Sequence, residues 1–269
     1  MRKLSSLFLI LFLAAPVLAQ NKVITDDDWC DDKGWNNDLE NYCEVREYEL
    51  KADRNRISID GGQNGGITVK GWDRNEILVR AKVSGHARTK VGAKELAEEV
   101  EVLTRRTIEA DVPNKLSNWG RRAWVSVSFE VFVPHESNLS LDTHNGGVTV
   151  KNVAGDVSFE VLNGGVSLYN LAGDVEGHTT NGGLSIILAG DEWEGEGLDV
   201  KTTNGGVKLE IPDGYSAQLE TGTVNGRLNF DFPVMVKGRL DRQISTKLGD
   251  GGKTIRVMTT NGAVKVGRS

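Results

Sequence analysis

Carboxylates, histidines, cysteines and tryptophans are the side chains of this 269-residue chain that could do chemistry. Asp156, Asp174 and Asp191 each follow a glycine, at turn positions that look equivalent. Stacked about 5 Å apart, such a column could flank a glycosidic bond, which needs two carboxylates across the scissile linkage, or bridge Ca²⁺. Like charges at that separation cost only about 1 kcal/mol per pair in water, and Asp commonly caps its own turn through nearby N–H groups. Turn capping is therefore the expected role. His86, His135, His144 and His178 form neither His-x-His nor His-Glu-x-x-His, and His144 and His178 fall in different columns of the repeat described below. No Gly-x-Ser-x-Gly elbow supports a Ser/His/Asp triad, and the Gly-rich turns lack the Lys-Ser/Thr of a phosphate loop. The acidic run around Asp26, Asp27, Asp28, Asp31 and Asp32 lacks the ligand spacing and central glycine of a Ca²⁺ loop. No catalytic residue, metal ligand or cofactor site is expected.

Trp72, Trp119, Trp124 and Trp193 could stack on sugars. Trp193 stands out because it lies in an acidic, Gly-flanked insertion, Asp191 to Gly197, that interrupts the repeat. Such insertions commonly map to a binding face, so the segment is expected to protrude and Trp193 is assigned to partner binding. Cys30 and Cys43 are the only cysteines. In an exported chain two cysteines read as one disulfide, and closing a loop of about 14 residues stabilises by roughly 3 kcal/mol in the chain-entropy picture.

Export is read from residues 1–19. Arg2 and Lys3 precede an apolar run from Leu7 to Ala15, and Val17-Leu18-Ala19 offers a cleavage site. The run is too short to span a membrane, and no later stretch is apolar enough, so no span is expected after the signal is removed. Without Arg2 and Lys3 the chain has 30 basic and 38 acidic residues, a net charge of -8. That argues against nucleic acid, which needs a basic face.

The elements that must position these groups follow from a repeat. Asn-Gly occurs at Asn64, Asn145, Asn163, Asn181, Asn204, Asn225 and Asn261. The residues three and five places on are apolar in all seven copies: Ile67 and Val69, Val148 and Val150, Val166 and Leu168, Leu184 and Ile186, Val207 and Leu209, Leu228 and Phe230, Val264 and Val266. In a chain 38% hydrophobic, chance gives that pattern on the order of one time in a million. From Asn145 the steps are 18, 18, 23, 21 and 36 residues, the last read as two units in which one turn has lost its Asn-Gly.

Asn-Gly between alternating apolar residues is a hairpin signal, and an antiparallel meander is one reading. Whole columns match, however. Thr143, Val161, Thr179, Thr202, Thr223 and Thr259, all β-branched, stand two places before the Asn, and a second Gly column holds Gly147, Gly165, Gly183 and Gly206 before lapsing at Arg227 and Ala263. A meander needs only its turn residues in common. A β-solenoid stacks equivalent residues of successive coils at about 4.8 Å and so repeats every column. The expected class is therefore all-β, a β-solenoid or β-helix. Asn suits the corner because it tolerates φ > 0 and its amide can bond along the stack; the following Gly takes a backbone conformation that a Cβ would hinder. Adjacent Thr residues in Thr-Thr-Asn point to opposite faces, which excludes the flat paired Thr rows of an ice-binding surface.

Four segments are expected: the signal peptide 1–19; an acidic, disulfide-containing leader 20–50 forming an irregular cap; an N-terminal β region 51–135 with one short helix over 93–100 and an alternating strand over 125–133; and the solenoid 136–269. The Asn-Gly-Gly-Val-x-Val units from Asn145, with Ile67-Thr-Val-Lys-Gly-Trp-Asp-Arg and the Cys43-Glu-Val-Arg-Glu run, resemble the bacterial putative-adhesin family of exported β-helical proteins, a domain-of-unknown-function family. The resemblance covers residues 43–269. It implies a strand-stacked architecture, a periplasmic, extracellular or cell-surface location and an adhesin-like role, and offers no catalytic residue to carry over. The expected function is a non-catalytic exported interaction protein presenting its solenoid surface to an envelope component, glycan or protein. The alternatives are a carbohydrate-active enzyme on the same scaffold and a structural envelope protein.

Overall fold

The structure is a computed structural model and describes residues 21–31, 39–112, 123–233 and 242–269. The expected signal peptide, Asp32 and Trp119 lie outside the described residues. The chain runs through β1 (Asn21–Ile24), a 3₁₀ turn (Asp28–Cys30), β2 (Glu40–Lys51), β3 (Ile57–Asp60), β4 (Ile67–Trp72), β5 (Glu76–Ala87), α1 (Lys90–Glu98), β6 (Glu101–Thr104), β7 (Thr107–Asp111), β8 (Trp124–Pro134), β9 (Leu139–Thr143) and β10 (Val148–Lys151). It continues through β11 (Ala154–Asn163), β12 (Val166–Tyr169), β13 (Ala172–Asn181), β14 (Leu184–Ile187), β15 (Gly195–Asn204), β16 (Val207–Ile211), β17 (Ala217–Asn225), β18 (Leu228–Phe230), β19 (Gln243–Leu248), β20 (Thr254–Asn261) and β21 (Val264–Arg268).

The fold is an all-β solenoid of two sheets. Sheet A has the order β1-β2-β5-β8-β4-β10-β12-β14-β16-β21-β18, and sheet B the order β19-β17-β20-β15-β13-β11-β9-β3-β7-β6. Each Asn-Gly corner turns a sheet B strand into a sheet A strand, so the seven copies make seven coils. Successive coils pair in parallel and in register: Val148 with Val166, Val166 with Leu184, Leu184 with Val207 and Val207 with Val264. The two apolar columns face inward from sheet A and are buried from Ile67 and Val69 through to Val264 and Val266. At the far end of the stack Leu228 and Phe230 are partly buried and pack against this core.

The Asn-Gly corner has three working parts. The seven asparagines form one amide ladder, each Nδ2 donating to the Oδ1 of its neighbour: Asn145 to Asn64 at 3.3 Å, Asn163 to Asn145 at 2.8 Å, Asn181 to Asn163 at 2.8 Å, Asn204 to Asn181 at 2.9 Å, Asn261 to Asn204 at 2.8 Å and Asn225 to Asn261 at 2.9 Å. None of the seven has positive φ, which corrects the expectation that φ tolerance selects them; the amide stack does. Nor does the glycine after each Asn have positive φ. A Cβ on Gly164, Gly182 or Gly205 would sit 2.0 Å from the carbonyl oxygen of the glycine one coil away, so close backbone approach excludes every side chain. The second Gly column is looser, with 3.5 Å available at Gly165, and so admits Arg227 and Ala263. The Thr two places before the Asn points inward. Thr143, Thr179, Thr202, Thr259 and Thr223 donate their Oγ1 hydrogen to the carbonyl oxygens of Gly65, Gly164, Gly182, Gly205 and Gly262, at 2.6, 2.8, 2.7, 2.8 and 2.9 Å.

Three departures from the sequence reading bear on the site. First, the leader adds a strand: β1 pairs antiparallel with β2, itself a 12-residue strand on β5. The Cys30–Cys43 disulfide is formed, with Cα atoms 5.7 Å apart. Trp29 lies under Arg80 and Lys82, each 5.8 Å from its ring, and Arg80 also ion-pairs with Asp27, Glu47 and Glu130. Burial alone would raise the Glu130 pKa, but hydrogen bonds from Lys70 and Arg80 outweigh it and hold the carboxyl low. Second, β4 pairs with β10 and β3 with β9, so the first coil of the stack comes from ahead of residue 136. Third, among the described residues the 36-residue step holds no degraded coil. β20 lies between β15 and β17, and β21 between β16 and β18. The chain lays down an outer coil, β17–β18, adds the antiparallel edge strand β19, then returns inward.

The helix, Lys90–Glu98, starts three residues before the expected span because Thr89 caps it, accepting from Gly92 N at 3.1 Å. The strand expected over 125–133 is β8, with Val125, Val127, Phe129, Val131 and Val133 buried.

Close approach at the corner separates two neighbouring glycines. Gly182→Ala is expected to cost about 3 kcal/mol or abolish folding, because only backbone can yield. Gly165→Ala should stay within about 1 kcal/mol, since its Cβ meets ordinary contacts. Urea midpoints of the two variants check the pair.

Candidate binding face

Strand alternation sends every second residue of sheet B outward, and register stacking turns those residues into columns. One column reads Asp60, Asp142, Glu160, His178, Lys201 and Met258 along β3, β9, β11, β13, β15 and β20. The next reads Ser58, Ser140, Ser158, Glu176, Asp199, Arg256 and Glu220. Between them lies an open trough of about 560 Å³, lined by Ser140, Asp142, Ser158, Glu160, Glu176, His178, Asp199 and Lys201 over a floor of Leu141, Phe159 and Gly177. The floor depends on a size match. A Cβ on Gly177 would meet the Phe159 ring at 2.4 Å, so the glycine makes room for the buried ring beside it.

The trough is acidic at the Asp60 end, where Asp60, Asp142 and Glu160 share a column, and of mixed charge toward Arg256, where Lys201 and Arg256 stand among Asp199 and Glu220. Burial, then the neighbouring Asp60 and Glu160 charges, push the Asp142 carboxyl above the usual carboxylate range. Arg256 bridges the far end, 3.1 Å from Asp199 and 2.8 Å from Glu220. Arg56 closes the other, donating to Ser158 Oγ at 3.3 Å and lying 3.6 Å from Asp156. His178 directs Nε2 toward the Thr180 and Thr203 hydroxyls at 3.4 and 3.5 Å, while its Nδ1 is buried and makes no hydrogen bond within the protein.

The carboxylate column of the sequence reading is shorter than expected. Asp156 and Asp174 are register partners, but a bulge follows and Gly197 takes the next place, so Asp191 does not join them. The four histidines are scattered. His135 contacts Asn152 O and Asp73 at 2.8 and 3.2 Å, His86 stacks on Trp124 with burial lowering its pKa, His144 is exposed, and His178 lines the trough.

The family model of Toastrack DUF4097 matches residues 125–267, more than half of the chain. The protein belongs to the Toastrack DUF4097 family. No curated protein matches the sequence. Among solved structures, a putative cell adhesion protein from Clostridium sporogenes is similar at 12% identity and TM-score 0.44, covering 84% of this chain and 100% of that one. A putative adhesin from Bacteroides fragilis is similar at 11% identity and TM-score 0.42, covering 87% and 98%. A putative lipid binding protein from Parabacteroides distasonis is similar at 12% identity and TM-score 0.34, covering 86% and 97%.

In this Toastrack member Trp193 does not protrude, which corrects its assignment as an exposed aromatic. It is 5% exposed and donates from Nε1 to Gly173 O at 3.0 Å. The insertion folds back across the stack: Ser216 N donates to Asp191 O at 2.7 Å and Glu192 bridges to Ser216. Trp193 belongs to the buried core, as do Leu188 and Tyr215, and burial pushes the Tyr215 hydroxyl up to about 12. The sequence reading missed a second amide ladder at the opposite corner. Asn152 and Asn170 both have positive φ, 56° and 51°, and Asn170 donates to Asn152 Oδ1 at 2.8 Å. The signal was present: aligned repeat units carry Asn seven places after the ladder Asn.

Trp193→Ala is expected to cost about 3–5 kcal/mol, as for other buried tryptophans. Urea denaturation measures it; a loss under about 1 kcal/mol would return the residue to the surface role.

Proposed function

We propose that the protein is a non-catalytic, exported, adhesin-like interaction protein that presents the outer face of sheet B to an envelope glycan or protein. The observation that carries this reading is the trough. Its hydroxyls, carboxylates, imidazole and ammonium groups are outside the core and are held at fixed spacing by the strand lattice, a rigid array of donors and acceptors. Preorganised polar groups of this kind bind without paying to order a loop. Asp142 and Glu160 stand on one wall and Glu176 and Asp199 on the other, acceptors for the hydroxyls of a ligand laid along the trough. Family membership and the Cys30–Cys43 disulfide, a bond of oxidising compartments, support the exported setting. Among the described residues no helix is long and apolar enough to cross a membrane.

The test combines Asp142→Asn, Glu160→Gln and Lys201→Ala in the mature protein. Retention on isolated envelope fractions and on a polysaccharide panel is compared with wild type and with Lys151→Ala on the opposite sheet. The triple variant should lose about tenfold or more in retention, as removal of several polar contacts does, while Lys151→Ala behaves as wild type. Equal retention by all three proteins would overturn the assignment of the face, and turnover of any polysaccharide would overturn the non-catalytic reading.

A further inference from the structure

The chain order of the coils and their stack order differ at one place only. The coil formed by β15 and β16 is followed in the stack not by β17–β18 but by β20–β21, so the segment that comes later in sequence fills an interior position. It is paired on both sides in both sheets. Leu198 and Leu219 flank Ile255, and Val207 and Leu228 flank Val264. Ile255, Val257, Val264 and Val266 are at most 1% exposed. Asn261 completes the amide ladder between Asn204 and Asn225, at 2.8 and 2.9 Å.

We infer that the Thr254–Arg268 coil is an exchangeable element, and that the slot it fills accepts the same segment from a second copy of this chain. Three observations carry this. The first is the hinge. β19 and β20 are joined by a turn in which Gly249, Gly251 and Gly252 have φ of 50°, 81° and 140°, conformations that glycine adopts and leaves without steric cost. The turn is largely exposed, so it can open without dismantling core. The second is the slot. With the segment withdrawn, β15 and β17 each expose an edge that β20 had paired, and unpaired edges recruit strands. The third is complementarity. An occupant needs apolar residues at the places of Ile255, Val257, Val264 and Val266, an Asn for the ladder, and a following Gly, because a Cβ on Gly262 would meet Gly205 O at 2.0 Å. It also needs a cation to bridge Asp199 and Glu220 as Arg256 does. A second copy supplies all of these at once. Reciprocal exchange then reproduces each contact of the closed monomer and changes only the hinge, the circumstance in which domain swapping occurs. The inference stands independently of the binding face proposed above.

Lys201 and Met258 are register partners on the outer face of β15 and β20, close enough for a disulfide once both are cysteine. The experiment uses the full mature chain carrying Lys201→Cys and Met258→Cys, prepared with two distinguishable tags. The populations are mixed in urea just below the unfolding midpoint, returned to buffer, oxidised and run on a denaturing gel without reductant. A covalent dimer carrying both tags is expected, rising with protein concentration and lost on reduction. Deleting Gly251 and Gly252 shortens the hinge and should raise the dimer share about tenfold, since strained hinges favour exchange. A control pair, Glu160→Cys with His178→Cys on β11 and β13, joins strands that are adjacent in sequence order and should stay within one chain. Intrachain links alone in the Lys201/Met258 variant at every concentration would overturn the proposal, even where the hinge-shortened chain fails to fold. Equal interchain linking in the control pair would overturn it too, by showing general misassembly.

Discussion

Parallel strands stacked in register place every residue directly over its equivalent, about 4.8 Å away. At a corner, where the chain must reverse within two residues, that spacing brings backbone against backbone. The Asn-Gly corner answers both demands that result. Glycine removes the Cβ that would collide with the neighbouring carbonyl, 2.0 Å away at Gly164, Gly182 and Gly205. Asparagine satisfies its own amide against the next copy, and an inward Thr hydroxyl takes up a glycine carbonyl that would otherwise be buried without a partner. A ladder of this kind works only if neighbours are in register, so it selects one alignment out of several that the apolar columns alone would tolerate. The columns supply the burial; the corner supplies uniqueness.

The columns are also why the fold was legible in the sequence. Fourteen apolar positions and the β-branched column before the six asparagines from Asn145 onward distinguish stacking from a meander before any coordinates. The physical reason at the corner was only half legible. Glycine after Asn suggests a φ requirement, and distances alone reveal that steric approach is the cause. The second amide ladder at Asn152 and Asn170 sat in the aligned units, but two copies gave too little repetition to stand out against the seven of the first ladder. What could not be read from columns is the order in which coils stack. Coil β20–β21 carries the same pattern as the rest, and nothing in a local pattern records which neighbour it meets. The 36-residue step therefore looked like a lost turn when it is an excursion outward and back.

The candidate face was less legible than the fold. Trp193 drew attention as a large aromatic in an acidic insertion, yet an insertion can fold inward when its aromatic has a core gap and a carbonyl to reach, here Gly173 O. The trough residues Asp142, Glu160, His178 and Lys201 share no motif. They are prominent only because register lines up outward positions from separate repeats. A lattice that dictates its inward columns leaves the outward ones open to vary, which is how one corner chemistry can support different surfaces without disturbing the stack.

The central claim is that coupling between successive asparagines holds the register. A double-mutant cycle with Asn163→Ala, Asn181→Ala and both together, read by urea denaturation, measures that coupling directly. The account predicts that the double variant is less destabilised than the sum of the singles by about 0.5 kcal/mol or more, because the amide–amide bond exists only while both partners are present. Additivity within about 0.3 kcal/mol would contradict it, and would mean that the ladder follows from the stacking instead of enforcing it.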